Sequence, residues 1–380
     1  AIDNIKSKMT SHVSHFGVHD HGFNNLSTYG NLLRLLNEGK IENDKWLKSY
    51  CELALKLSSS VQAQRWTQLS NKGYIYSFNG PHSLFVDTVR TIRILGVGHL
   101  LGHYSSGEND IRLNLLKRAC EHGLTTAEYS IYYGEGRDAY DIKGRTAHEI
   151  IFNTNDGNYR SPSTQQGYSG FSTWTRGLSW AMLGFAEQLE FLNELKIGDD
   201  LESLGGKQYV EETFLKAAKA TCDFYIENTA SDGIPYWDTG APGLFYLKDW
   251  KTTKSNPFND YEPIDSSAAA IGAQGLLRLG NYLNRKGLED GNIYVSAGLT
   301  VAHSLLSEPY LSPDPNHQGL LLHTIYHRPN GWDHIPKGSK IPNGEACMWG
   351  DYHLRELAYY LKGLINGDYY YTFFKDIVSE

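Results

Sequence analysis

Residues 173–195 read TWTRGLSWAMLGFAEQLEFLNEL, and apolar side chains recur through this stretch at the spacing of an amphipathic helix. Stretches elsewhere in the chain have a similar period and are also predicted to be helices: 45–60, 84–101, 210–228, 265–284, 291–306 and 351–365. Alternating apolar and polar residues, the pattern of a long strand, are scarce. Segments that contain Gly and Pro, such as SDGIPYWDTGAPG and SPDPNHQG, separate the helices.

This succession of helices with long polar loops predicts helical hairpins that pack around an axis. The expected fold is all-α, an α/α toroid that resembles an (α/α)6 barrel, with the inner helices buried and the outer ones buried on one face. No linker or low-complexity segment divides the chain, so we expect a single catalytic domain over residues 1–380. The loops at one end of the toroid would carry the chemistry.

Composition narrows the classes of function. The chain has 380 residues and a net charge of −8, which argues against a nucleic-acid-binding protein because such proteins need a basic surface. The chain contains no run of 18 or more apolar residues, so no membrane-spanning helix is expected. The four cysteines are far apart, so neither a zinc site nor a disulfide framework is expected. The 26 Tyr, 14 Phe and 8 Trp suit either a large core or a site at which rings stack on sugars.

Two aspartates stand out by their surroundings. Asp20 lies in HDHGF shortly before a helix predicted from about Ser27, and Asp87 lies in FVDTVRTIRIL at the start of an apolar helix. Either residue could be a helix cap. Alternatively, the two carboxylates could lie at the rim of a pocket. Partial burial would then raise the pKa of Asp87 and let it hold a proton near neutral pH.

A second set of polar residues follows. His148 lies in GRTAHEIIFN, Gln166 in TQQGYSG, and Arg176 and Trp180 in WTRGLSW. Arg176 and Trp180 are four residues apart, so on a helix they share a face. An arginine can pair with a carboxylate while a tryptophan stacks on a sugar ring. The structural alternatives are a buried histidine without a catalytic role and an Arg–Trp contact at the surface.

The order of these motifs resembles glycoside hydrolase family 88, the unsaturated glucuronyl hydrolases. The resemblance covers about residues 16–365 and rests on HDHGF, KGRTAH, QQGY, WTRGLSW, IPYWDTGAP, DSSAAAIGAQGLL, HTIYH and WGDYHLREL. The chain departs from the family pattern at Lys143, where the family usually has Asp, and at Gln165, where it has His. Only 19 residues precede Asp20, whereas the family usually has one or two further helices there.

The resemblance implies an enzyme that removes a terminal 4,5-unsaturated uronic acid from oligosaccharides made by lyases. It would act by hydrating the C4=C5 double bond, without a metal or cofactor. Asp87 would protonate C4 and activate the water that adds at C5, and Asp20 would hold sugar hydroxyls and tune Asp87. The implied substrate-binding residues are His148, Gln166, Arg176 and Trp180, with the tryptophan stacked on the sugar.

Several alternatives stay open at this point. One is an unsaturated rhamnogalacturonyl hydrolase with the same toroid and chemistry, although the DSSA and PYWD motifs favour the glucuronyl family. Another is a polysaccharide lyase, which would use a Tyr/His pair such as Tyr326 and His327. A third is a sugar-binding protein that kept the fold without the reaction. The sequence leaves open the compartment, bacterial cytoplasm or periplasm, and the oligomeric state.

Overall fold

The computed structural model describes residues 1–196, 199–367 and 371–378. Its α-helices are, in chain order, α1 (Ile2–Lys8), α2 (Thr10–Val13), α3 (His21–Asn25), α4 (Asn31–Asn37), α5 (Lys45–Gln64), α6 (Thr88–Thr91), α7 (Arg93–Leu100), α8 (Leu115–Tyr129), α9 (Thr175–Glu194), α10 (Gly206–Glu227), α11 (Ser266–Lys286), α12 (Gly291–Leu305) and α13 (Met348–Ile365). The strands are short: β1 (Trp66–Gln68), β2 (Gly73–Ile75), β3 (Ser83–Phe85), β4 (Ser105–Ser106), β5 (Arg112–Leu113), β6 (Glu149–Phe152) and β7 (Tyr159–Ser163). Within these ranges, no helix is long and apolar enough to cross a membrane.

The helices alternate between an inner and an outer layer. A π-helical turn, Leu26–Gly30, joins α3 to α4, and this segment forms the inner layer together with α6–α7, α9, α11 and α13. Helices α5, α8, α10 and α12 lie outside. Nearly every residue of α9 and most of α11 are buried, as inner helices require, whereas α10 and α12 bury one face. This arrangement confirms the predicted all-α toroid.

The sequence-based expectations about the helices differ from the structure in three details. The helix predicted over 84–101 begins only at Thr88, because residues 83–85 form β3 and pair with β6, which in turn pairs with β7. Helix α8 was not predicted. In the predicted helix 45–60, which is part of α5, the apolar residues Trp46, Leu53 and Leu57 are exposed. The buried face of α5 contains Leu47 and Leu55 together with small residues, among them Cys51, Ala54, Ser58 and Ser59, and the small residues allow close packing against α7.

All five inner helical segments begin at the same end of the toroid, because each hairpin of inner and outer helices is antiparallel. The residues that directly precede them are Asp20, Asp87, Trp174, Asp265 and Cys347. Long connections lead from each outer helix to the next inner one: 65–87, 130–174, 228–265 and 306–347. The predicted site residues therefore converge on one end, although they are distant in the sequence.

A buried charge network crosses the axis below this end. Arg90 on α6 donates to Glu187 on α9 (3.2 Å) and to Glu356 on α13 (2.8 Å), and Arg93 donates to Glu187 (3.4 Å). The positive and negative charges of these four residues balance. Such balance is what makes burial of ionised groups tolerable, since removal of one partner leaves an uncompensated charge.

Gly22 sets the distance between the segments that carry the two aspartates. A Cβ atom at Gly22 would lie 1.9 Å from the carbonyl oxygen of Thr91 in α6. We therefore expect Gly22→Ala to push α3 from α6 and to lower the free energy of unfolding by about 1–3 kcal/mol. Turnover should fall as well, since Asp20 and Asp87 lie at the starts of these helices. Urea unfolding and steady-state kinetics would measure both effects, and an unchanged unfolding midpoint would contradict the prediction.

Candidate active site

A cavity of about 490 Å³ opens at the end where the inner helices begin. Five of the six predicted site residues line it: Asp20, Asp87, Gln166, Arg176 and Trp180. The sixth, His148, lies behind the cavity wall with its ring 4.5 Å from the rings of both Phe85 and Trp174. The structure thus brings together residues that the sequence places over about 160 positions.

Neither predicted aspartate is used as a helix cap. Asp20 precedes α3 and Asp87 precedes α6, but neither side chain makes a capping hydrogen bond within the described part of the chain. Asp265 shows the contrast, because it accepts from the backbone N–H groups of Ser267 (3.0 Å) and Ala268 (3.3 Å) at the start of α11. The capping alternative is therefore not supported, and both carboxylates remain available for chemistry.

The two carboxylates share one histidine, which the sequence analysis did not single out. His19 Nε2 lies 3.4 Å from Asp20 Oδ1 and 3.6 Å from Asp87 Oδ2. His19 is completely buried, whereas the side chains of Asp87 and Asp20 are 12% and 33% exposed. Its position next to Asp20 in HDHGF was a signal, but nothing in the sequence indicates its contact with Asp87.

The pKa of Asp87 is lowered overall, not raised as its burial led us to expect. Burial does raise this pKa, but the contact with His19, the positive charge of His19 and the nearby His148 outweigh the effect of burial and hold the pKa of Asp87 below its ordinary value. The pKa of His19 responds in the opposite sense: burial lowers it, but the charges of Asp20 and Asp87 raise it above its ordinary value. His19 therefore lies between two carboxylates at the edge of the cavity, and their negative charges favour its protonated form.

His148 supports the loop that carries Gln166. Its Nδ1 accepts from the backbone N–H groups of Gln165 (3.2 Å) and Gln166 (3.4 Å), so in the neutral ring the proton must be on Nε2. Burial lowers the pKa of His148 to about 4, which keeps the ring neutral at pH 7. Both His148 Nε2 and Asp87 Oδ1 are buried without a hydrogen-bond partner among the described residues. Unsatisfied buried atoms of this kind indicate where a ligand or water completes the site.

Arg176 is held by protein groups on three sides. Its Nη1 donates to Asp265 Oδ2 (2.7 Å) and to the carbonyl oxygen of Ile325, and its Nη2 donates to Gln166 Oε1 (2.8 Å) and the Tyr326 carbonyl (2.8 Å). The side chain is only 4% exposed, so the alternative of a surface contact is wrong. Because Gln166 Oε1 already accepts a hydrogen bond from Arg176, the amide NH₂ of Gln166 is the group of this side chain that can donate to a ligand.

Aromatic rings form much of the cavity wall. Trp180 packs against Phe23, with ring centroids 4.7 Å apart, and against His353 at 5.0 Å. On the other side, the Trp349 and Tyr326 rings are 5.1 Å apart. Phe23, Tyr326 and Trp349 also line the cavity and lie in the HDHGF, HTIYH and WGDY motifs. None of them was among the predicted substrate-binding residues, and Tyr326 was named only for the lyase alternative. Such a wall suits the apolar faces of sugar rings.

Neither of the two residues that depart from the family pattern, Lys143 and Gln165, lines the cavity. Lys143 is 64% exposed and pairs with Asp223 at 3.6 Å. Gln165 donates through its amide to the side-chain oxygen of Asn79. Among the residues that the structure describes, no group of three or more His, Cys, Asp or Glu side chains could hold a metal ion.

Comparisons with known proteins agree with this architecture. No protein-family model matches the chain. The unsaturated glucuronyl hydrolase of Formosa agariphila is 26% identical over 344 residues, which make up 89% of this chain and 68% of that protein. The unsaturated glucuronyl hydrolase of Bacillus sp. (strain GL1) is 27% identical over 224 residues, 59% of this chain and 48% of that protein, so the chain spans about half of this relative's length.

A solved structure extends the likeness to the fold. The crystal structure of the unsaturated glucuronyl hydrolase from Bacillus sp. GL1, described as responsible for the degradation of glycosaminoglycan, matches with a TM-score of 0.69 at 20% sequence identity. The match covers 98% of this chain and 81% of that chain. The toroid is therefore shared over almost the whole length of the chain.

Proposed function

We propose, from the relationship of this chain to the unsaturated glucuronyl hydrolases, that it removes a terminal 4,5-unsaturated uronic acid from oligosaccharides produced by lyases. The observation that carries this function is the pair of carboxylates, Asp20 and Asp87, on one cavity with His19 between them. The aromatic wall formed by Trp180 and Trp349 suits a pyranose ring.

The reaction is a hydration of the C4=C5 double bond. The carboxyl group gives its proton to C4, and the oxygen of a water molecule adds to C5. One proton of this water goes to the carboxylate and restores the carboxyl group, and the other stays on the new C5 hydroxyl. The product at C5 is a hemiketal, which opens by loss of the C5–O bond to the ring oxygen. C1 then carries both a hydroxyl and the leaving sugar, and the hemiacetal collapses with release of that sugar. One carboxylate can therefore act first as acid and then as base.

We keep the acid/base role for Asp87, as the sequence interpretation gave it. Asp87 lines the cavity and its Oδ1 makes no hydrogen bond within the described residues, so it can give a proton to C4 and take one from water. His19 holds the pKa of Asp87 below its ordinary value in the free protein, so Asp87 must take up its proton when the substrate binds. Asp20, the more exposed carboxylate, would hold sugar hydroxyls and act on Asp87 through its negative charge.

Neutral donors would bind the sugar. The NH₂ group of Gln166 and the Nε2–H group of His148 are two donors for which no protein acceptor is found within the described residues. Arg176 would act from behind Gln166, because its own hydrogen bonds go to Asp265 and two backbone carbonyls. The stacking surface is provided by Trp180, together with Phe23, Tyr326 and Trp349.

The lyase alternative gains no support from the site. Tyr326 lines the cavity, but the His327 ring accepts a hydrogen bond from the backbone N–H of Asn330 (3.4 Å) and packs 4.8 Å from Trp332 in a loop. The ring centroids of Tyr326 and His327, the Tyr/His pair of the lyase alternative, lie 6.2 Å apart in an edge-to-face arrangement. The two relatives compared by sequence are both named unsaturated glucuronyl hydrolases.

The reaction in heavy-oxygen water tests the proposed function. We expect loss of the ultraviolet absorbance of the conjugated double bond and entry of the label at C5 of the uronate. Saturated glucuronides should not react, because they lack the double bond that takes up the proton. Mass spectrometry of the released uronate locates the label. Label at C1, or steady cleavage of a saturated glucuronide, would demonstrate ordinary glycosidic displacement. A rise in absorbance with a polysaccharide substrate would demonstrate a lyase.

A further inference from the structure

We propose that Asn79 is a positioning residue for the amide of Gln166, the group assigned above to substrate binding. Its side chain connects the buried carboxylate of Glu149 to Gln165, the residue before Gln166, and we call this connection the polar link. None of the three residues of the polar link, Glu149, Asn79 and Gln165, lines the cavity. The inference rests on the proposed function, because its effect on catalysis passes through Gln166. The polar link itself is a property of the free protein and can be tested without a substrate.

The polar link consists of side-chain hydrogen bonds between separate parts of the fold. Glu149 lies on β6 and is only 3% exposed, and its Oε1 accepts from Asn79 Nδ2 (2.9 Å). The oxygen of the same Asn79 amide accepts from the NH₂ group of Gln165. Asn79 belongs to the connection 65–87 and Gln165 to the connection 130–174. The polar link therefore joins two of the long connections at the end of the toroid that carries the cavity.

The direction of these hydrogen bonds follows from the carboxylate. An ionised carboxylate can only accept hydrogen bonds, so the Asn79 amide turns its NH₂ group toward Glu149. The hydroxyl of Ser83 is a second donor to the same oxygen of Glu149 (2.5 Å). The oxygen of Asn79 is then left for Gln165, which has to present its own NH₂ group. Each amide of the polar link is thus held in one of its two orientations.

The polar link adds an anchor to a loop whose other contacts in this region are individually weak. His148 Nδ1 faces the backbone N–H groups of Gln165 (3.2 Å) and Gln166 (3.4 Å) and also the hydroxyl of Thr164 (3.2 Å). A ring nitrogen without a proton offers a single lone pair, so these groups share one acceptor at distances beyond the optimum. The bond to Asn79 ties Gln165 to a different part of the fold, the loop before β3.

A displaced Gln165 would move the adjacent Gln166. The Gln166 amide is held on one side, since its Oε1 accepts from Arg176 (2.8 Å), and the position of its NH₂ group depends on this bond and on the backbone. Hydrogen bonds weaken quickly as they lengthen or bend, so a small movement of the NH₂ group would weaken its bond to a sugar. Substrate binding should then suffer more than proton transfer, because a change at Gln165 leaves the contacts of Asp87 in place.

Reversal of the polar link tests this role. Gln165→Glu is nearly isosteric but places an acceptor opposite the oxygen of Asn79, and we expect KM to rise by about tenfold with kcat within about threefold of the wild type. Glu149→Gln alone should have a smaller effect, because its amide oxygen can accept the same hydrogen bonds. When the two substitutions are combined, the Asn79 amide can turn over, accept from the new glutamine and donate to the new glutamate. KM should then return to within about threefold of the wild type.

Gln208→Glu is the matched control. Gln208 donates to Glu212 (2.8 Å) near the start of the outer helix α10, so the same substitution again places an acceptor opposite an acceptor. It should lower stability slightly and leave KM unchanged. If Gln165→Glu does not fold, Gln165→Met takes its place with the same expected rise in KM, since methionine fills a similar space and donates nothing. A wild-type KM in the folded Gln165 variant, or a KM that fails to recover in the double variant, would overturn the proposal.

Urea unfolding of the free protein separates this inference from the proposed function. We expect Gln165→Glu to lower the free energy of unfolding and the added Glu149→Gln to restore part of it, so that the two effects are not additive. Additive effects would mean that the polar link does not act as a unit and would overturn the proposal. If the effects are not additive but the wild type hydrates no unsaturated oligosaccharide, the proposed function is overturned together with the catalytic role of Asn79, and the polar link itself is supported.

Discussion

Replacement of Asp87 by Asn is expected to lower the turnover of an unsaturated disaccharide by roughly 100-fold or more while the fold is kept. Asparagine has nearly the same shape as aspartate, but it can neither give a proton to C4 nor take one from water. The Asp87 side chain makes no capping hydrogen bond within the described residues, so the substitution should disturb the structure little. Absorbance loss under steady-state conditions measures turnover, and thermal unfolding confirms the fold.

Two further variants make this result specific. Asp20→Asn should also reduce turnover, since a carboxylate that holds sugar hydroxyls is lost. Asp44→Asn is the control, because Asp44 caps the outer helix α5 through Leu47 N–H (3.1 Å) and asparagine caps a helix as well as aspartate. Its turnover should match that of the wild type. Near-normal turnover in folded Asp87→Asn would contradict the acid/base role of Asp87.

Replacement of Arg176 by Ala is expected to lower the free energy of unfolding by about 3–5 kcal/mol. The substitution leaves the buried carboxylate of Asp265 without its cation and the carbonyl groups of Ile325 and Tyr326 without a donor. Activity should fall too, because Gln166 loses the hydrogen bond that orients its amide. The contacts of Arg176 therefore indicate that the losses of stability and of activity are both large.

A double substitution separates the two contributions of this pair. In Arg176→Met combined with Asp265→Asn, both charges are removed, so the loss of stability should be smaller than the sum of the two single losses. Urea unfolding of the four proteins completes the cycle. A wild-type free energy of unfolding in Arg176→Ala would mean that the ion pair contributes nothing to the fold.

Much of the candidate site could be predicted because its members lie in short motifs at the starts of helices. Asp20, Asp87, Gln166, Arg176 and Trp180 all line the cavity, as the sequence interpretation required. His148 lies behind the cavity wall, and its Nδ1 bonds with the backbone of Gln165 and Gln166 could not be foreseen. These bonds join a strand to a loop, and sequence periodicity carries no information on such contacts.

The sequence by itself determined the helical period, the alternation of buried and half-buried helices, and the order of motifs that indicates the family. These properties are local, since a helix follows from apolar residues spaced a few positions apart. The tertiary structure alone decided that His19 joins Asp20 to Asp87, that the pKa of Asp87 is lowered rather than raised, and that Arg176 pairs with Asp265, 89 positions away. The physical reason is that charge interactions depend on distances of a few ångströms between atoms, and only the packing of the inner helices sets those distances.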